Sequence, residues 1–127
     1  MNKILVVDDD LDILTLVKMT LDIHGFDAAV LSRWENIDIA VKNIEPDLIL
    51  LDVSLNGADG REICKKLKSQ KTTQHIPVIL FSANIDMETT IGDCHAQAFI
   101  LKPYELNNFL QIIRSNINTA HKNVLEN

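Results

Sequence analysis

Short apolar runs alternate with amphipathic stretches from one end of the chain to the other, and this alternation limits the fold more than any other feature. The apolar runs are Ile4–Val7, Ala28–Leu31, Leu48–Leu51, Val78–Phe81 and Ala98–Leu101. Most are continuous rather than alternating, as in strands covered on both faces of a parallel sheet. Ala28–Leu31 is the weakest of them, because alanine is a poor strand former. Between the runs lie helical stripes. Ile13, Leu16, Val17, Thr20, Leu21 and His24 form the first, closed by Gly25. Ile37, Ala40, Val41 and Ile44 form the second, ended by Pro46. Ile63 and Leu67 mark a short third helix after Gly60. Asp86–His95 is a fourth, with Ile91 and Cys94 as its apolar marks and Gly92 interrupting it. Leu106, Phe109, Leu110, Ile113 and Ile117 mark the last. Five strand–helix units imply an α/β fold, a parallel sheet with helices on both faces. Right-handed crossovers favour a doubly wound sheet. A length of 127 residues suits one domain. We expect it to span residues 1–120, with a polar tail over 121–127.

In a doubly wound sheet the active site lies at the carboxyl ends of the strands. The residues there carry chemistry. Asp8, Asp9 and Asp10 follow the first strand, Asp52 the third, Ser82 the fourth, and Lys102 with Pro103 the fifth. Crowded carboxylates raise one another's pKa, and a hard divalent cation relieves that cost. Mg²⁺ takes oxygen ligands, commonly one or two carboxylates together with phosphate oxygens and water. No Gly-rich Walker loop is present, so a bound nucleotide is not indicated. An aspartate can itself be a nucleophile and form an aspartyl phosphate. Charge narrows the partners. The chain carries a net −6 and no Lys/Arg cluster, which argues against direct nucleic-acid binding. No apolar run approaches a bilayer span, so no membrane contact is expected. The N-terminal apolar stretch runs straight into acids and is no signal peptide. Cys64 and Cys94 lack a CxxC motif and are expected to be reduced and structural in a cytoplasmic protein.

The stretches ILVVDDD, PDLILLDVSL with ADG, IPVILFSA and AFILKPYE, in this order, resemble the receiver domains of two-component response regulators. The resemblance runs from Lys3 to about Ile117, nearly the whole chain. It implies a flavodoxin-like, CheY-like five-stranded sheet in the order 2-1-3-4-5, with five helices. It implies a signalling switch that catalyses only its own phosphorylation and dephosphorylation. Asp52 matches the phosphoacceptor. Asp8 and Asp9 match the acidic pair that holds Mg²⁺, Asp9 directly and Asp8 mostly through water. The Ser54 backbone carbonyl matches the third protein ligand. Ser82 matches the switch hydroxyl, Ala83 the small residue that leaves room for the phosphoryl group, and Phe99 the aromatic switch. Lys102 matches the phosphate-pairing lysine, and Pro103 the proline after it, commonly joined by a cis peptide. The implied donor is a histidine kinase or a histidine phosphotransfer protein. The implied output is a protein partner contacted by the face of the fourth helix, fifth strand and last helix.

Some positions depart from the family pattern. Asn56 stands where proline is frequent. Ser54 and Asn84 occupy the two variable positions that tune dephosphorylation. The segment between Ser82 and Lys102 is short, and His95 replaces the usual glycine before Ala96. That puts dimerisation through this face in doubt. Simpler roles compete with the functional ones. Asp10 and Asp12 suit a helix N-terminus. Trp34 fits a contact role or a packing role equally. None of the four histidines, His24, His75, His95 and His121, has ligand spacing. Two further functions compete. Asp8 and Asp10 also spell the D-x-D of haloacid-dehalogenase-like phosphatases, with Asp8 as nucleophile, although Asp12 stands where that family has Thr or Val. A receiver cut from a longer regulator is the other. The start at Met1 and the polar end, with no output-domain sequence, favour a stand-alone receiver.

Overall fold

A computed structural model describes residues 2–82 and 94–126, with the backbone alone for 118–126. The elements in chain order are β1 (Lys3–Val7), α1 (Leu11–Ile23), β2 (Asp27–Leu31), a 3₁₀ turn (Trp34–Asn36), α2 (Ile37–Ile44), β3 (Leu48–Asp52), β4 (Ser54–Leu55), β5 (Ala58–Asp59), α3 (Gly60–Ser69), β6 (Val78–Ser82), β7 (Ala98–Leu101) and α4 (Leu106–Glu126). Five strands form one parallel sheet in the order β2-β1-β3-β6-β7. This is the order expected from the resemblance, once the two short strands β4 and β5 are set aside. The helix expected over Asp86–His95 falls largely outside the described residues. The described part therefore holds four α-helices, not five.

The period-two geometry of a strand sends successive side chains to opposite faces. Ile4 and Val6 of β1 join Leu48, Leu50, Ile79 and Phe81 in one core, roofed by Leu14, Val17 and Leu21 of α1 and by Phe109, Leu110, Ile113 and Ile117 of α4. Leu5 and Val7 join Ile49, Leu51, Val78 and Leu80 in the other, beneath Ile37 and Val41 of α2 and Ile63, Cys64 and Leu67 of α3. The central strands β1, β3 and β6 are buried on both faces, which is why their sequences are continuously apolar. β2 and β7 are the edges, and their burial is patchy. The alanines of β2 are tolerated there.

In one helix the buried stripe differs from expectation. In α1 the buried positions are Leu14, Val17 and Leu21, while Leu16, Met19 and Ile23 face outward. Leu16 belongs to the expected stripe, but it lies one residue off the i, i+3, i+7 line that the sheet selects. α2 ends as expected before Pro46. Proline disfavours helical backbone in the residue before it, and Glu45 adopts a left-handed φ of 52°. Both cysteines are buried thiols outside any disulfide. The Cys64 thiol is pushed up to about 12 by burial and by the neighbouring Cys94. It is thus a neutral packing group at physiological pH. Among the described residues no helix is long and apolar enough to cross a membrane.

Candidate functional site

The run of acids after β1 divides by direction. The Asp8 N–H donates to the Leu31 carbonyl (3.2 Å), continuing the β1–β2 pairing by one residue and holding Asp8 at the rim of the sheet. Its carboxylate accepts from the Asp10 N–H (2.9 Å) and is almost wholly buried. Asp9 is exposed and turns toward the β4–β5 turn, where its Oδ2 accepts from the Asn56 N–H at 2.7 Å. Asp10 caps α1, accepting from the N–H groups of Asp12 and Ile13 at 3.0 and 3.3 Å. Asp8 and Asp10 therefore do not act as a pair. The D-x-D phosphatase reading loses its second carboxylate to a helix cap.

Asp52 is the last residue of β3 and is 5% exposed. One oxygen each from Asp8, Asp9 and Asp52 lies within 4.8 Å of the others. Lys102 enters from β7, where its N–H donates to the Ser82 carbonyl at 2.8 Å. Its Nζ stands 3.4 Å from both Asp8 Oδ2 and Asp52 Oδ1, and 4.2 Å over the Phe81 ring. The Lys102–Pro103 peptide is cis. One ammonium thus faces two carboxylates, with the third, Asp9, nearby in the cluster. Burial, then the charge of Asp8, pushes the Asp52 carboxyl from its ordinary 3.8 up to about 6, against the opposing pull of Lys102 and a hydrogen bond from the Ser54 backbone. The described residues leave this rim short of positive charge. An all-oxygen donor set of this size suits a hard divalent cation.

The remaining expected residues fall as follows. Ser82 ends β6 and is buried beside Lys102 in sequence register with Leu101. Phe99 lies on β7 opposite Leu80, half-buried against the core under α2 and α3. Ala83 and Asn84 lie outside the described residues. Ser54 pairs with Asp59 in the β4–β5 hairpin. The Gly60 N–H donates to the Val53 carbonyl at 2.8 Å. The Ser54–Asp59 pair is therefore a non-hydrogen-bonded one, and the Ser54 carbonyl is left outside the ladder.

Three features escaped the sequence reading. The first is the hairpin itself, although Asn56-Gly57 is a turn dipeptide and Gly57 adopts a φ of +82°. The second is Gly60, where a Cβ would sit 2.1 Å from the Asp52 carbonyl oxygen. Glycine alone lets α3 start this close to the end of β3. The third is Trp34, whose Nε1–H donates to the Asn56 carbonyl at 2.8 Å. His95, where a glycine is usual, has a left-handed φ of 64°. That explains the family's glycine there.

Known proteins share this fold and sequence pattern. The family model of the response regulator receiver domain matches residues 4–114. The chain is 30% identical over 117 residues to the DNA-binding response regulator MtrA of Mycolicibacterium paratuberculosis, covering 91% of this chain and 51% of that protein. It thus spans about half the length of this curated relative. The BeF3-activated N-terminal receiver domain of RstA from Klebsiella pneumoniae superposes with a TM-score of 0.82 at 30% identity, over 91% of this chain and 98% of that one. A CheY-like receiver domain protein from Methanospirillum hungatei shares the fold with a TM-score of 0.86 at 24% identity, over 97% and 98% of the two chains.

Proposed function

The chain belongs to the response regulator receiver domain family, and we propose that it is a phosphoryl-accepting switch in which Asp52 is the acceptor. The observation that carries this is the Lys102 ammonium, placed 3.4 Å from both Asp52 and Asp8 at the rim where Asp9 also arrives. An Asp52 carboxylate oxygen attacks phosphorus. The bond from phosphorus to the donor breaks, and the donor keeps that electron pair. With a phosphohistidine donor the leaving group is the imidazole nitrogen, and with acetyl phosphate it is acetate. Such transfer needs positioning and charge neutralisation more than covalent chemistry. Lys102 neutralises charge on the transferred group. The Ser82 hydroxyl donates to one of its oxygens. Asp9, Asp52 and the Ser54 carbonyl would hold Mg²⁺, and Asp8 would act through water. The cation, when bound, offsets the carboxylate charge and the phosphoryl oxygens together. The same residues support loss of the phosphoryl group to water, so the chain turns over only itself. A histidine kinase or histidine phosphotransfer protein supplies the phosphoryl group. The output is a protein contact of the face that includes β7 and α4, with Phe99 as the responding aromatic.

Incubation with acetyl phosphate and Mg²⁺, followed by intact mass and peptide mapping, tests this. We expect one base-labile and hydroxylamine-labile phosphoryl group on Asp52, and none in Asp52→Asn or in chelator. A stable phosphate on Ser82, a label on Asp8, or full labelling of Asp52→Asn would overturn it.

A further inference from the structure

Trp34 has no part in the chemistry above, yet it is joined to the cluster through a single residue. Its Nε1–H donates to the Asn56 carbonyl at 2.8 Å, and the Asn56 N–H donates to Asp9 Oδ2 at 2.7 Å. The two peptide groups on either side of the Asn56 Cα are therefore held from opposite ends, one by the indole and one by the carboxylate. The indole is a firm anchor, because Trp34 packs against the core under α2 and α3. The turn is anchored at its base by Leu55 and Ala58, which pack with the same core, but its tip, Asn56 and Gly57, is exposed. It is closed by two residue pairs, Ser54 with Asp59 and Leu55 with Ala58, and Gly57 permits its peptides to rotate. Asp9 needs such help more than its neighbours do. Asp8 and Asp52 are buried, whereas Asp9 is exposed. An exposed carboxylate that must be ordered to bind a cation loses rotamer freedom on binding, and ordering it beforehand removes that cost.

We propose that Trp34 is a positioning residue of the cation site, holding the Asn56 turn so that its N–H orients the Asp9 carboxylate. This rests on the assignment of Asp9 and Asp52 as Mg²⁺ ligands. The same turn carries Ser54, so the indole steadies two of the proposed ligands at once. Loss of one such neutral hydrogen bond corresponds to a weakening of about three- to tenfold.

Calorimetric titration with Mg²⁺, without any phosphoryl donor, compares wild type with Trp34→Phe, and thermal unfolding of both is followed in chelator. Phenylalanine keeps an apolar ring and removes the donor. The Kd is expected to rise about three- to tenfold. A lower unfolding temperature with a Kd within about twofold of wild type would show a purely structural tryptophan and overturn the proposal. Should Trp34→Phe fail to fold, the wild type supplies the answer, since the chain has one tryptophan and hence one indole N–H resonance. That resonance is expected to move on Mg²⁺ addition and to lose this response in Asp9→Asn. No movement in the wild type while calorimetry records binding would overturn the proposal. Absence of any Mg²⁺ binding to the wild type would instead overturn the metal assignment, and this inference with it.

Discussion

Asp52 is an acid whose surroundings oppose its own charge. It is buried, it faces Asp8, and Lys102 offsets this only in part, so its pKa stands near 6 in the metal-free protein. The folded state therefore holds a proton that the unfolded chain releases above 3.8. The favourable contribution is complete below 3.8 and is lost as pH rises to about 6. Above that pH, the ionised carboxylate costs the metal-free fold up to about 3 kcal/mol. Asp52→Asn removes the ionisation. In chelator it is expected to be more stable than wild type near neutral pH, with the difference shrinking as the pH is lowered through 6 and gone below 3.8. Urea unfolding of the two proteins across that range measures it. A difference that is flat with pH would mean that Asp52 is an ordinary carboxylate. The same surplus of charge gives a cation something to do, since binding at Asp52 removes the cost that folding incurs.

Close approach governs the elements around the site. α3 begins at Gly60, directly after the hairpin, with Asp59 as its N-cap. A methyl group at Gly60 would meet the Asp52 carbonyl at 2.1 Å, and that atom is backbone and cannot swing aside. Gly60→Ala must shift either α3 or the end of β3. We expect a loss of about 1–3 kcal/mol in chemical denaturation, and occasionally such overpacking costs more. Because the shift falls on Asp52, acetyl phosphate labelling should slow as well if that residue accepts the phosphoryl group. Alanine tolerated at this position with wild-type stability and labelling would refute the contact. α1 shows the opposite case. Its helical propensity and cap at Asp10 form it, but the sheet decides which of its apolar residues are buried. Leu14, Val17 and Leu21 are taken and Leu16 is left outside.

Two cores share one sheet, and the site sits at the rim where both end. Phe81 belongs to the core under α1 and α4, while Phe99 packs with the core under α2 and α3. Phe81 adjoins Ser82 and lies under the Lys102 ammonium, Phe99 stands opposite Leu80 on β7, and Ser82 and Lys102 are joined backbone to backbone at 2.8 Å. A phosphoryl group that draws on Ser82 and Lys102 therefore acts where β6 and β7 meet. The coupling needs an element with two states that the phosphoryl group favours unequally. Hydrogen exchange with and without beryllofluoride is expected to show changed protection across residues 84–110 as well as around Asp52. If the change is confined to Asp52 and its immediate neighbours, the output surface lies elsewhere, and the β4–β5 hairpin with α1 becomes the next surface to examine.

The sequence alone determined the strand–helix alternation, because burial on both faces demands continuous apolar runs and helices demand a 3.6-residue stripe. It also determined which residues stand at the strand ends, since that follows from where each apolar run stops. Asp8, Asp9, Asp52, Ser82 and Lys102 could be named from chain position in this way. What tertiary structure decided was direction and distance. Chain position marked Asp10 and Asp12 as acids of a helix N-terminus, but only the fold shows Asp9 turned to the cluster while Asp10 caps α1. Nothing local reveals that Gly60 must be bare, because the atom it would strike belongs to Asp52 on a different element. Nothing local ties Trp34 to Asn56 and Asn56 to Asp9, which lie 22 and 47 positions apart. Hydrogen bonds between residues distant in the chain exist only once the sheet has brought their elements together, so periodicity carries no trace of them.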